Sequence, residues 1–142
     1  MTTSKRPIRF RSTVDPGESN VLTTTVEEDA TIEHLNIRFW RGPELALQVI
    51  PRRIPDNGNG RPQDLVDVIG EDYIDGDNDH WDYPLAEPVE EGDVLEVEVV
   101  NTAEPDPGAD LTFDSVVEMD LDRKGGLSRP FEGVLSTIKG VL

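Results

Sequence analysis

From Val94 to Asn101 the chain alternates residue by residue, with Leu95, Val97 and Val99 on one side and Glu96 and Glu98 on the other. Extended backbone throws successive side chains to opposite faces, so a period of two marks a strand with one dry face and one wet face. The pattern recurs along the chain. Leu111 to Leu121 sets Leu111, Phe113, Val117 and Met119 against Thr112, Asp114, Glu118 and Asp120. Ile8 to Val14 sets Ile8, Phe10 and Val14 against Arg9, Arg11 and Thr13, and Ile32 to Trp40 sets Leu35, Ile37 and Phe39 against Asn36, Arg38 and Trp40. Val21 to Val26, rich in Thr, has the same half-solvated character. Sheets with a single dry face need a second layer over that face, which favours a sandwich.

Turn chemistry separates these runs. Asp15, Pro16 and Gly17 form one turn, and Gly42 and Pro43 stop the Ile32–Trp40 run. Leu45 to Ile50 is a further strand, and the spacing predicts that it forms a hairpin with Ile32–Trp40 around Arg41–Glu44. Pro51 to Gln63 is a loop. Leu65 to Ile69 is too short for a stable helix and is expected to be a strand. A short strand at Trp81–Leu85 and a turn over Glu87–Asp93 complete the set. About eight strands without intervening helices give an all-β, antiparallel β-sandwich of jelly-roll type over residues 1–121, with residues 1–7 as a basic N-terminal arm. Residues 122–127 are expected to be a Gly-rich linker. Residues 128–142 read as an amphipathic helix capped by Ser128, with Phe131, Val134, Leu135, Ile138, Val141 and Leu142 on one stripe. Such a short helix needs a surface to dock on, either its own sandwich or another subunit.

Charge constrains the surroundings. The chain has 142 residues and a formal net charge of −17. Between Ser12 and Leu121 it holds 28 acidic residues against 5 Arg and no Lys. Self-repulsion of this kind is screened over roughly 10 Å at 0.1 M salt but over roughly 3 Å at 1 M, so the composition reads as a surface adapted to a high-salt cytoplasm or brine. It argues against nucleic acid and anionic membranes as partners, both of which call for a basic footprint. The chain has no Cys, which removes disulfides and thiolate chemistry. Neither a secretory signal nor a stretch of about 20 apolar residues is evident. The ends differ from the body: residues 1–11 carry Lys5, Arg6, Arg9 and Arg11 with no acid, and residues 122–142 are also net basic. Either these ends are simply solvated or they reach the acidic bodies of neighbouring copies.

Candidate sites follow from the same reading. Asp75, Asp77 and Asp79 alternate as hard-cation ligands do and could hold calcium or magnesium, but His80 stands where an EF-hand loop requires Gly. A solvated acidic loop is the alternative. His34 and His80 have no zinc spacing, and no Gly-x-Ser-x-Gly elbow is present, so the chain is expected not to be an enzyme. Trp40 falls on the polar side of its strand, hence on the outer face, where it would serve as an interface residue or a sugar platform unless a loop or the terminal helix covers it. The expected contact residues are Arg9, Arg11, Trp40, Phe131, Val134, Leu135, Ile138 and Leu142.

Trp81, Tyr83, Pro84, Leu85, Val89, Gly92, Asp93, Leu95, Val97, Val99 and Asn101 form a strand ending in Pro-Leu, a Gly-Asp turn and an alternating strand closed by Asn. This segment, from Trp81 to Leu121, resembles small sandwich proteins in the virions of tailed viruses and their prophages, and the acidity points that resemblance to haloarchaeal viruses. The resemblance implies a non-enzymatic virion component (capsid decoration, turret or tail-associated), assembled in the host cytoplasm as a homo-oligomer with other virion proteins. It brings no catalytic or ligand residues. The second expectation is a glycan-binding or adhesion module using Trp40, Trp81 and Tyr83, with calcium at Asp75–Asp79. A third is an accessory to a hydrolase or a small enzyme.

Overall fold

Alternating strands close over one another in the computed structural model, which describes residues 5–40, 46–77, 79–105, 108 and 111–123. The strands are β1 (Lys5–Val14), β2 (Ser19–Thr25), β3 (Ala30–Phe39), β4 (Leu47–Ile54), β5 (Gln63–Asp64), β6 (Ile74–Asp75), β7 (His80–Val89), β8 (Val94–Asn101) and β9 (Phe113–Arg123). The first sheet has the order β1-β9-β3-β7, and the second has β2-β8-β4-β5 with β6 also paired to β4. All pairings are antiparallel. From β1 to β4, and again from β7 to β9, each strand lies in the sheet opposite to its predecessor. This winding is that of a jelly-roll β-sandwich.

The winding overturns two local expectations. The strand after Gly42 and Pro43 does not fold back on β3: β3 pairs with β7 and β9, while β4 pairs with β8, β5 and β6. Both strands have apolar inner faces, and placing them in opposite sheets lets those faces pack against each other across the core. Leu65–Ile69 is a 3₁₀ helix rather than a strand, ended by Gly70 at φ 80°. Leu65 and Val66 are buried, so a single tight turn caps the side of the sandwich without entering a ladder. β1 begins at Lys5, so residues 5–7 belong to a strand rather than an arm. β4 runs on to Ile54, which shortens the loop after it, and β7 extends to Val89. β9 runs on through residues 122 and 123, the first two of the linker expected over 122–127; the rest of that linker, the helix expected over 128–142 and the contact residues Phe131, Val134, Leu135, Ile138 and Leu142 lie outside the described residues.

The core is where the dry faces meet. Ile32, Leu35, Ile37 and Phe39 of β3 and Val117 and Met119 of β9 face Leu47, Val49, Leu95, Val97 and Val99 of the second sheet, and all are fully buried or nearly so. A register shift between Ile32 and His34 lets Ile32 and Leu35, three apart, both point inward.

Two of the buried polar groups, Asn101 and Asp93, fasten this core. Asn101 is 1% exposed; its Nδ2 donates to the carbonyls of Val14 (3.0 Å) and Leu111 (2.8 Å), and its Oδ1 accepts from the Ala103 amide (3.0 Å). At the other end Asp93 is 2% exposed and accepts from Arg53 Nε and from the Glu90 amide, both at 2.8 Å. Gly92 beside it has φ 94°, and a Cβ there would run into the Asn57 carboxamide. The Gly-Asp turn and the closing Asn are therefore determinants of the fold, each with its hydrogen-bonding needs met.

Candidate functional site

On the outer face of the first sheet the strand register brings together residues remote in sequence. Arg11 of β1, Val116 of β9, Arg38 of β3 and His80 of β7 form one cross-strand row. Arg9, Glu118, Asn36 and Asp82 form the next one. Trp40 follows β3 directly and is 37% exposed. The Arg38 guanidinium lies 5.4 Å from the centre of its ring and the Arg11 guanidinium 5.7 Å. Both are within cation–π range, an interaction worth about 0.5–1 kcal/mol at exposed sites. The hollow between Arg9, Arg11, Arg38, Trp40 and His80 has a volume of about 280 Å³.

The pairing of these arginines distinguishes the face. Arg9 is neutralised by Glu118, with Nη2–Oε2 at 2.7 Å and Nε–Oε2 at 3.1 Å. Arg52, on the outer face of the second sheet, meets Asp64, Glu96 and Glu98 at 2.8–2.9 Å. Burial works against its charge, but the hydrogen bonds from Glu98, Glu96 and Asp64 outweigh that effect, so its pKa stands above the ordinary arginine value. Arg53 is held by Asp93 and, at 3.5 Å, by Glu87. Arg11 and Arg38, by contrast, have the Trp40 ring and, among the described residues, no carboxylate within ion-pair distance. Among the described residues, two guanidiniums thus share one aromatic ring with no carboxylate paired to either. Ring contact restrains the guanidiniums and leaves donors available for carboxylate or phosphate oxygens.

Of the contact residues expected from the sequence, Arg9, Arg11 and Trp40 come together here. Arg38, His80, Asn36 and Glu118 were not singled out. For Arg38 and Asn36 the signal was present, since alternation puts both on the side of Trp40. His80 and Glu118 needed the register of strands far apart in the chain.

The other candidates are dispersed. Asp75 lies in β6, opposite Gln48. The Asp79 carboxylate accepts from the Asp77 amide at 2.9 Å and packs against Gly76, where a Cβ would come within 2.9 Å of it, 2.8 Å of the Phe39 ring and 3.1 Å of Trp81 Nε1. Among the described residues no three His, Asp or Glu side chains are grouped so as to hold a metal ion. His34 Nδ1 lies 3.1 Å from Asp82 Oδ1. Trp81 and Tyr83 stack with ring centres 6.3 Å apart and planes 6° from parallel. They sit on the inward side of the edge strand β7, Trp81 opposite Ile37, so they share no platform with Trp40. The Tyr83 hydroxyl is shifted above its usual pKa of 10.0 by burial and then by the negative charge of Glu71.

No family model and no curated protein matches this chain. Among solved structures it is similar to the Yersinia pseudotuberculosis-derived mitogen, at 10% identity and a TM-score of 0.47, over 86% of this chain and 89% of that one. A family two carbohydrate esterase from Cellvibrio japonicus matches at 12% identity and a TM-score of 0.37, and a complex of the Aeromonas sobria serine protease with its chaperone at 10% and 0.36. These matches cover 87% and 84% of this chain, which spans only 35% and 28% of those chains. Similarity this low transfers no activity.

Proposed function

We propose that this protein is a non-enzymatic assembly component that docks through the outer face of its first sheet onto an acidic protein surface in high salt. The observation that carries the reading is the pair of guanidiniums, Arg11 and Arg38, on the exposed Trp40 ring with no carboxylate paired to either among the described residues. Interfaces draw their binding energy from Trp and Arg anchors more than from other residues. An acidic partner would supply carboxylates to Arg11 and Arg38, and contact with Trp40 would exclude water from the new ion pairs. The virion setting enters as part of the same proposal, from the resemblance of the Trp81–Leu121 segment and from a jelly-roll topology that capsid proteins and lectins share.

The test is binding of a fluorescent peptide rich in Glu, Asp and Tyr, read by anisotropy in about 1 M KCl. Saturable binding that weakens at least about tenfold in Arg11→Glu/Arg38→Glu supports the reading. Absence of binding, or binding indifferent to those substitutions, contradicts it. Neighbouring genes for capsid or tail proteins would support the virion setting; polysaccharide genes would oppose it.

A glycan-binding role is the second reading, favoured by the near-parallel Trp81–Tyr83 pair with Trp81 39% exposed. It loses Trp40 as a partner of that pair. Chelator-sensitive binding on a glycan array, abolished by Trp81→Ala and unaffected by Arg38→Glu, would establish it over the first.

A further inference from the structure

We infer that the acidic surface received by the Arg11–Trp40–Arg38 face is the Glu71–Tyr73 segment of a second copy of this chain, joined head to tail. The inference rests on the docking role proposed above and adds its occupant.

Charge distribution and exposure single out this segment. From Asp64 to Asp79 the chain carries Asp64, Asp67, Glu71, Asp72, Asp75, Asp77 and Asp79 and no Lys or Arg. Several of these are engaged within the molecule: Asp64 holds Arg52, and Asp79 accepts from the Asp77 amide. Glu71, Asp72 and Tyr73 are all exposed, between the 3₁₀ helix and β6. Tyr73 is 38% exposed, one of few large apolar side chains so open to solvent. Among the described residues neither Glu71 nor Asp72 has a cation within ion-pair distance. The segment thus offers two carboxylates beside an open tyrosine, and the opposing face offers two guanidiniums around an open tryptophan. The groups match in number, sign and type, with aromatic contact available to shield the ion pairs.

The placement of the two patches bears on the kind of assembly. The receiving face lies on the outside of the first sheet, whereas Glu71–Tyr73 leads into β6, which is paired to β4 of the second sheet. Two different patches meet, and we take the contact as head to tail because one lies on the outer face of the first sheet and the other leads into the second; a reciprocal contact would instead close a two-fold dimer. The head-to-tail contact closes into a ring or propagates as a filament according to the rotation between copies. A symmetric contact of the Arg face with itself would set four guanidiniums together and is disfavoured by charge.

Sedimentation velocity in about 1 M KCl tests this with three proteins and one mixture. The unaltered chain should sediment as multiples of its 15.8 kDa mass. Arg11→Glu/Arg38→Glu and Glu71→Arg/Asp72→Arg should each be monomeric, because each sets like charges against each other. Their equimolar mixture should regain dimers or larger species, since each supplies the intact surface that the other lacks, and this recovery also shows that both are folded. A monomeric unaltered chain whose Arg face still binds the acidic peptide overturns this inference and leaves the docking role standing. Multimers untouched by Arg11→Glu/Arg38→Glu overturn this inference as well, and if peptide binding is also untouched by those substitutions the docking role falls with it.

Discussion

Replacing Asn101 by Ala should cost the fold about 4 kcal/mol. The substitution removes both donors and the acceptor of the side-chain amide, leaving the Val14 and Leu111 carbonyls and the Ala103 amide without their partner. Val14 is 1% exposed and its bond to Asn101 is buried, so its carbonyl bears a desolvation cost of about 1–3 kcal/mol. Leu111 and Ala103 are half-buried, can recover some hydration, and lose about 0.5–1.5 kcal/mol each. The sum spans about 2–6 kcal/mol, a large share of the 5–15 kcal/mol typical of a domain, and lowers the melting temperature by roughly 10–20 °C. Asn101→Asp sharpens the test. It keeps the acceptor but sets a carboxylate against two carbonyl oxygens, so the introduced carboxyl has its folded pKa raised above the unfolded value. The variant should therefore come nearest to the unaltered protein below about pH 4 and lose ground as pH rises through the folded pKa. Urea unfolding in high salt measures both effects from the shift in midpoint at unchanged slope. A loss below about 1 kcal/mol for Asn101→Ala would refute the assignment of Asn101 as the clamp between the ends of β1, β8 and β9.

Other outcomes follow from the same structure. Asp93→Ala removes the partners of Arg53 Nε and the Glu90 amide and should cost about 3 kcal/mol by the same unfolding assay. Gly76→Ala drives a Cβ to within 2.8 Å of the Phe39 ring and 2.9 Å of the Asp79 carboxylate; about 1–3 kcal/mol should be lost, together with a change in Trp81 emission. Tyr83, observed alone in Tyr73→Phe by tyrosinate absorbance, should ionise above its ordinary value, and Glu71→Gln should lower that point in part, leaving the contribution of burial. Because this pKa is raised in the folded state, the stability it contributes is full below about pH 10 and lost as pH climbs through the folded value. Raising KCl from about 0.1 M to about 1 M should increase the melting temperature, since screening relieves the self-repulsion of a chain at −17; a fall would contradict the high-salt reading.

The alternation of Leu95, Val97 and Val99 with Glu96 and Glu98 was sufficient to identify β8, and the same logic found the strands around Ile8, Leu22, Leu35 and Val117. Whether consecutive strands stay in one sheet is a different matter. Gly42 and Pro43 mark a reversal equally well for a hairpin and for a crossover, and only the packing of two apolar faces selects the crossover. Leu65–Ile69 reads as a strand in sequence because four apolar residues around Asp67 look alike as a strand or as a short turn. The outer face was half legible: alternation places Arg38 beside Trp40, but Arg11 reaches the same ring only through the register of β1 with β9 and β9 with β3. The Gly92-Asp93 and Asn101 pattern was visible in the sequence, and its role in closing the turn and clamping the strand ends came from the hydrogen bonds.

The most direct measurement uses the fluorescence of Trp40. The chain has two Trp, so Trp81→Phe, which keeps a ring against Tyr83, leaves Trp40 as the only one. Acrylamide quenching is followed as the acidic peptide is added in high salt. With Glu71→Arg/Asp72→Arg also present, so that no second copy covers the Arg11–Trp40–Arg38 face, docking through that face predicts that Trp40 becomes shielded in step with binding, and that Arg11→Glu/Arg38→Glu abolishes both. Quenching that stays at the free-protein level while the peptide binds would place the contact elsewhere and contradict the docking role of this face.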